Sequence, residues 1–212
     1  MIIGLTGTYC AGKNRVAAIL EARGLETLDV DRLGHACLEN QKEAIFARFG
    51  AGARVKDGER AGRVDRRALG AMVFGKPDEM AALEAIVHPE ANRMTAEWTR
   101  AREGKPCVVN AALLHKSAAF SGLRAVIVVR APFLTRLARA RRRDRLPWPD
   151  LIRRLASQRR FDSQYLGANA DIFRVENPGL GALPRSGVRG KRLERRLEKR
   201  IDEILADIGL AR

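Results

Sequence analysis

The clearest chemistry in the chain lies near its start. Gly7-Thr8-Tyr9-Cys10-Ala11-Gly12-Lys13-Asn14 fits the spacing G-x-x-x-x-G-K, with Asn in the last place, where Ser or Thr is expected. Gly7 and Gly12 are expected to permit backbone angles that turn successive N–H groups inward. Those groups, with a helix N-terminus behind them, make a cradle for phosphate oxygens. Lys13 adds a point charge where charge develops on the outer phosphates during transfer. A glycine-containing turn with an incidental lysine is the competing reading, and the strand–loop–helix context argues against it.

Asn14 departs from the pattern. A hydroxyl there ordinarily ligates Mg²⁺. An amide oxygen is also a hard ligand, and Mg²⁺ accepts contact through water. Asn14 therefore either holds the ion, directly or through a water, or costs metal affinity. Cys10 stands at a helix N-terminus, where a thiol pKa tends to fall. Its alternative reading is a small residue chosen for fit.

Two carboxylates follow in Leu28-Asp29-Val30-Asp31. Strand alternation is expected to put Asp29 and Asp31 on one side, at the carboxyl edge of a sheet. One can accept the proton of an attacking hydroxyl and the other can hold water around Mg²⁺. Asp31 also precedes a helix and has an alternative use as its N-cap. Further along, Arg139 and Arg143 lie four apart on one helical face, beside Asp144. A guanidinium fork pairs with phosphate oxygens and stabilises charge in a loose phosphoryl transition state. The neighbouring Arg136, Arg141, Arg142, Arg145, Arg153 and Arg154 are read as solvated.

Short apolar runs and helical patterns alternate around these residues. Strands are expected at Met1–Thr6, Glu26–Val30, Cys107–Leu114, Arg124–Val129 and Ile172–Glu176. Helices are expected at Asn14–Arg23 and, more polar, up to Arg48. Asp65–Arg102 reads as helical, with breaks near Pro77 and Pro89. Pro132–Arg160 reads as helical and very basic, interrupted at Leu146-Pro147-Trp148-Pro149. Leu193, Leu197, Ile201, Ile204 and Ile208 mark a last helix. Gly50–Gly62 reads as a turn region. Apolar strands alternating with helices indicate a parallel sheet covered on both faces, with ligands beyond the carboxyl ends of its strands.

Composition narrows the class. The chain has 212 residues, 46% hydrophobic and 31% charged, enough for one domain with a sizeable core. No apolar run approaches the roughly 18–20 residues that cross a bilayer, so no membrane partner is expected. The first residues carry no basic lead and no cleavage site, so they read as a strand and not as a secretion signal. Cys10, Cys37 and Cys107 are odd in number and widely spaced. They suit a reducing cytoplasm and exclude a disulfide scaffold and a four-Cys zinc site. Most of the net charge of +15 lies in Arg136–Arg160 and Arg185–Arg200. A basic stretch beside a phosphate site can bind nucleotide, and one on a terminal helix is more often a solvated face.

The order and spacing of further short motifs resemble the dephospho-CoA kinase family along nearly the whole chain. They are the phosphate loop, Leu28-Asp29-Val30-Asp31, Val73-Phe74, Leu83 to His88-Pro89, Ala112-Leu113-Leu114, Arg143-Asp144, Gln158, Ala170-Asp171 and Asn177-Pro178-Gly179. The resemblance implies an α/β, three-layer P-loop kinase with a five-stranded parallel sheet. It implies a nucleotide core at 1–35, 105–135 and 170–212, a helical acceptor-binding subdomain at 60–104, and a basic lid at 136–169. It implies transfer of the ATP γ-phosphate to the 3′-hydroxyl of dephospho-CoA, with Mg²⁺ accompanying ATP. Asp31 matches the family's proposed base, with Lys13 and Arg143 as its catalytic partners. ATP binding is expected at Gly7, Thr8, Tyr9, Cys10, Ala11, Gly12, Lys13, Asn14, Arg15, Arg139 and Arg143, and at Asn177 and Gly179 around the adenine. Asp31, His88 and Leu113 are expected at the acceptor, and Asn14 and Asp29 at the metal. Ala112 and Lys116 depart from the family's pattern on the acceptor side. Two alternatives stand beside this reading. One is a related kinase for another nucleotide-like acceptor. The other is a basic nucleic-acid-binding protein on a kinase fold, against which few aromatics interrupt the basic runs. No specific nucleic-acid partner is expected, and the chain is expected to be a monomer or weak homo-oligomer.

Overall fold

The computed structural model describes residues 1–144, 146–156, 170–178 and 188–210. The strands are β1 (Ile2–Gly7), β2 (Glu26–Asp29), β3 (Cys107–Asn110), β4 (Leu123–Arg130) and β5 (Asp171–Glu176). The helices are α1 (Lys13–Ala22), α2 (Val30–Asn40), α3 (Lys42–Phe49), α4 (Arg66–Val73), α5 (Pro77–Arg100), α6 (Phe133–Asp144), α7 (Trp148–Ala156) and α8 (Val188–Asp207). The chain divides into two units, one of Met1–Leu28 with Thr99–Arg212 and one of Asp29–Trp98.

The first unit is built on a five-stranded sheet in the order β2-β3-β1-β4-β5, with helices on both sides. β1 lies between β3 and β4 and runs parallel to both, and β5 runs parallel to β4. Burial on both faces explains why β1 and β4 read as continuous apolar runs. Ile3, Leu5, Ile127 and Val129 share one core with Val16 and Leu20 of α1 and Leu197, Ile201 and Ile204 of α8. The apolar repeat of α8 is thus buried, while Lys191, Arg192, Arg195, Arg196 and Lys199 are exposed. Arg23 adds a two-pronged pair to Asp202 at 2.8 and 3.0 Å. Gly4 projects to the opposite face from Ile3 and Leu5, and a Cβ there would stand 2.5 Å from Leu114.

One sequence expectation changes in this unit: β3 stops at Asn110, not Leu114, and the chain passes into a 3₁₀ turn at Leu114–Lys116. The interruption expected at Leu146-Pro147-Trp148-Pro149 is present and separates α6 from α7, which opens at Trp148.

The second unit has its own apolar cluster: Ile45, Phe46, Ala53, Val64, Leu69 and Val73. Within the Gly-rich region a 3₁₀ turn at Ala51–Ala53 leads to an antiparallel bridge of Arg54 with Val64. Asp65 then caps α4, accepting from the backbone N–H of Arg67 and Ala68, each at 3.0 Å. Pro89 was expected to break the helical pattern, yet α5 runs through it for 24 residues. Proline removes one helical donor. The next residue anchors the helix: buried Glu90 accepts from Asn40 at 2.7 Å and from Arg93 at 2.8 and 2.9 Å. These bonds hold the Glu90 carboxyl down to about 2, the Arg93 bond contributing most.

Candidate active site

β1 delivers the chain at Gly7, where a Cβ would stand 2.7 Å from the carbonyl oxygen of Val129. Gly7 is therefore required by the close approach of β4. Its φ is not positive, contrary to the sequence expectation. Left-handed backbone falls instead at Gly12 (φ 93°) and at Cys10 (φ 60°). Gly12 also has no room for a Cβ, because the Asn177 amide packs against it. Cys10 holds a conformation that non-glycine residues seldom adopt.

Side chains from three directions brace this turn. Asn177, just past β5, donates its backbone N–H to Arg130 O at 2.7 Å and its Nδ2 to Ala11 O at 2.9 Å. Arg139 of α6 donates Nη1 to Cys10 O at 3.2 Å and Ala11 O at 2.8 Å, and Nη2 to Asn177 O at 3.2 Å. Arg136 donates Nε to Tyr9 O at 3.0 Å. A trans peptide sets its N–H opposite its carbonyl. Drawing the carbonyls of Tyr9 and Ala11 toward these braces turns the N–H groups of Cys10 and Gly12 the other way. No side chain caps α1, so its first N–H groups add to the same anion-binding potential.

Arg143 lies over the Tyr9 ring at 4.9 Å and donates Nε to Asp144 Oδ1 at 2.7 Å, while the Tyr9 hydroxyl donates to the same carboxylate. Burial raises the Asp144 pKa. Burial also raises the Cys10 thiol, over the opposing effect of Arg143, Arg139 and Arg136. That direction favours the reading of Cys10 as a small residue chosen for fit over one with a lowered thiol pKa.

Lys13, at the first position of α1, donates Nζ to Asn110 Oδ1 at 3.1 Å. Asn110 ends β3 and is 1% exposed. Its Nδ2 donates to Asn14 Oδ1 at 3.3 Å, and Asn14 itself is exposed. Arg15 contributes backbone to the loop's exit, its N–H donating to Gly12 O at 3.0 Å. Its guanidinium pairs with Glu194 of α8. Leu113 is 46% exposed after β3, and the preceding Ala112 O accepts from Thr6 Oγ1 at 3.4 Å.

In the second unit Asp29, not Asp31, is the N-cap of α2, accepting from Arg32 N at 3.3 Å. The shared side expected from strand alternation does not apply, because β2 ends at Asp29 and helix begins at Val30. Asp31 is exposed in the first helical turn. His88 is half-buried in α5. Gly179, Gln158 and the 157–169 part of the expected lid lie outside the described residues.

Among the described residues no group of three His, Cys, Asp or Glu is arranged to hold a metal. The side chains bonded in series to Lys13 are two amides. Such neutral groups fit a magnesium ion that would be carried mainly by phosphate and water. Sequence reasoning passed over Asn110, Arg136 and the side-chain role of Asn177. A polar residue ending an apolar run beside the loop strand was the available signal for Asn110. It was obscured by extending that strand to Leu114. Arg136, expected to be solvated, is half-buried against the loop.

The family model for dephospho-CoA kinase matches residues 1–177. The dephospho-CoA kinase of Anaeromyxobacter dehalogenans is 40% identical over 184 residues, covering 84% of each chain. That of Treponema denticola is 31% identical over 183 residues, covering 84% of this chain and 82% of the relative. The crystal structure of TT1252 from Thermus thermophilus is similar with a TM-score of 0.71 and 31% identity, covering 98% of this chain and 97% of that one. The braced phosphate loop therefore sits in a chain that belongs to the dephospho-CoA kinase family.

Proposed function

We propose a division of labour for the reaction of this family, in which the γ-phosphate of ATP passes to the 3′-hydroxyl of dephospho-CoA in the last step of coenzyme A synthesis. The turned N–H groups of the loop, those of Cys10 and Gly12 among them, take the phosphates of ATP, and Lys13 stabilises charge on the transferring group. The observation that carries this reading is the outward pull on the loop carbonyls by Arg136, Arg139 and Asn177. It holds the cradle in place before any nucleotide arrives.

Asp31 is assigned the proton of the attacking hydroxyl. What supports this is its match to the family's motif, its exposure, and the fact that Asp29 already caps the helix. Arg143 is assigned the developing phosphate charge, supported by its position on the helix that braces the loop. Asn177 and Gly179 are assigned the adenine end. The Asp29–Trp98 unit, with His88, is assigned to the acceptor, as is Leu113. Mg²⁺, when bound with ATP, would shield phosphate charge, and Asn14 would meet it through a water. Asp29 is the alternative contact. Residues 136–169 are assigned the role of a lid. A monomer or weak homo-oligomer in the cytoplasm suits this reading.

The test is a coupled ADP-release assay with dephospho-CoA, adenosine and AMP as separate acceptors. Release that requires dephospho-CoA supports the assignment. Release with AMP or adenosine instead would move the acceptor to another nucleotide class.

A further inference from the structure

We infer that Tyr9 is a positioning residue for phosphoryl transfer: its ring, and its hydroxyl acting through Asp144, hold the Arg143 guanidinium so that one fork of N–H groups is left for phosphate oxygens. The inference deepens the nucleotide reading above and rests on its assignment of Arg143 to the transferring phosphate.

Three arginines of α6 meet the phosphate loop. Arg136, Arg139 and Arg143 follow one another at helical spacing and share a face. Arg136 and Arg139 serve the loop's backbone. Nε of Arg136 donates to Tyr9 O, and both terminal nitrogens of Arg139 donate to carbonyls of Cys10, Ala11 and Asn177. Arg143 meets the loop through a side chain, its guanidinium carbon lying 4.9 Å from the centre of the Tyr9 ring. The ring itself is anchored, because the Tyr9 carbonyl is held by Arg136 at 3.0 Å. The two arginines that sequence spacing put together therefore differ: Arg139 braces the loop, and Arg143 lies on it.

Donor geometry then decides what Arg143 has left to offer. A guanidinium is planar, with its N–H donors in a fixed fork. Asp144 takes the side edge, accepting from Nε at 2.7 Å on Oδ1 and from Nη2 at 3.1 Å on Oδ2. The Tyr9 hydroxyl donates to the same Oδ2 and so fixes the carboxylate that fixes the arginine. One face and one edge of Arg143 are thus occupied. The end edge, Nη1 with the outer N–H of Nη2, carries no hydrogen bond among the described residues. It offers two parallel donors, the arrangement that matches two phosphate oxygens. The Arg143 side chain is 59% exposed, and without these contacts it would have many conformations to lose on meeting phosphate. Holding it beforehand lowers that cost at the transfer step. A phenylalanine at position 9 would keep the ring and release Asp144. A leucine would keep neither contact.

The experiment measures single-turnover transfer from ATP to dephospho-CoA at saturating concentrations, with the ATP dissociation constant by calorimetry, for the full chain and its variants. Arg143→Ala should slow transfer by about 10²–10³, as for loss of a preorganised donor. Tyr9→Leu should slow it by about threefold to thirtyfold, the range for a cation held on an aromatic face. Its ATP dissociation constant should move by less than about threefold, because the contact acts on the transition state. Tyr9→Phe should recover part of the lost rate. Combining Tyr9→Leu with Arg143→Ala should give the rate of Arg143→Ala alone, since Tyr9 acts through Arg143. Thermal melting checks that each variant is folded. If Tyr9→Leu is not, Tyr9→Phe supplies the same cycle through the hydroxyl.

A double variant slowed by the product of the two single effects overturns the inference. So does Tyr9→Leu at the wild-type rate, or a loss of ATP affinity as large as its loss of rate, which would make Tyr9 a structural part of the loop. Arg143→Ala at the wild-type rate overturns the inference together with the assignment of Arg143. A wild type that binds no ATP overturns the nucleotide reading as well.

Discussion

The phosphate loop and the Asp29–Trp98 unit use charge in opposite ways. Around the loop, Arg136 and Arg139 donate to neutral carbonyls and Lys13 donates to a neutral amide. Positive charge is positioned there without being cancelled by those bonds. In the other unit, buried Glu90 is matched by Arg93 and Asn40, and its charge faces inward. Arg136, Arg139 and Lys13 thus each donate to a neutral group of the chain, whereas Arg143 pairs with Asp144 and Glu90 with Arg93. Substitutions in the loop should therefore change chemistry more than stability, and substitutions at Glu90 the reverse.

Lys13→Ala makes the largest break. Transfer should fall by about 10²–10³, as for loss of a preorganised charge-stabilising group. The melting temperature should shift by only about 2–4 °C, for one lost hydrogen bond at Asn110. Normal turnover with a collapsed melting temperature would reverse the comparison. Asn177→Ala comes next. It removes the bond to Ala11 O, although Arg139 still reaches that oxygen. Stability should drop by about 1–2 kcal/mol, with a weaker grip on ATP as the cradle loosens. Thermal melts and nucleotide titration check both. The smallest effect belongs to Glu90. Its carboxyl is held to about 2 in the folded chain, below its ordinary 4.5. Its contribution is fully present above about 4.5 and is lost as pH falls toward 2. Glu90→Gln should flatten the acid limb of stability measured against pH and leave ATP affinity alone. An unchanged acid limb would remove Glu90 from that role.

The loop was legible in the sequence because glycine and lysine spacing answers to local backbone geometry. The strand alternation was legible for the same reason, since β1 and β4 are buried on both faces. What failed depended on partners far along the chain. Nothing near Arg15 in sequence announces Glu194, and nothing near Tyr9 announces Arg136 or Asp144. Gly7 was assigned to the loop correctly but for a conformational reason, when its close approach to Val129 decides it. The Asp29–Asp31 pairing failed because β2 ends one residue before helix begins. Capping then falls to Asp29, and Asp31 retains its candidacy as base on family resemblance and exposure. Pro89 misled because a local rule about helix breaking competes with the anchoring of Glu90 in the same turn.

The central claim joins an ATP-holding loop to a proton acceptor at Asp31. The most direct measurement is single-turnover transfer of labelled γ-phosphate from ATP to dephospho-CoA, for the wild type and Asp31→Asn, with the ATP dissociation constant of each. The wild type should yield one labelled coenzyme A per ADP. Asp31→Asn should bind ATP as tightly while transfer slows by about 10²–10⁴, the range for a general base. Transfer by Asp31→Asn at the wild-type rate would contradict the account.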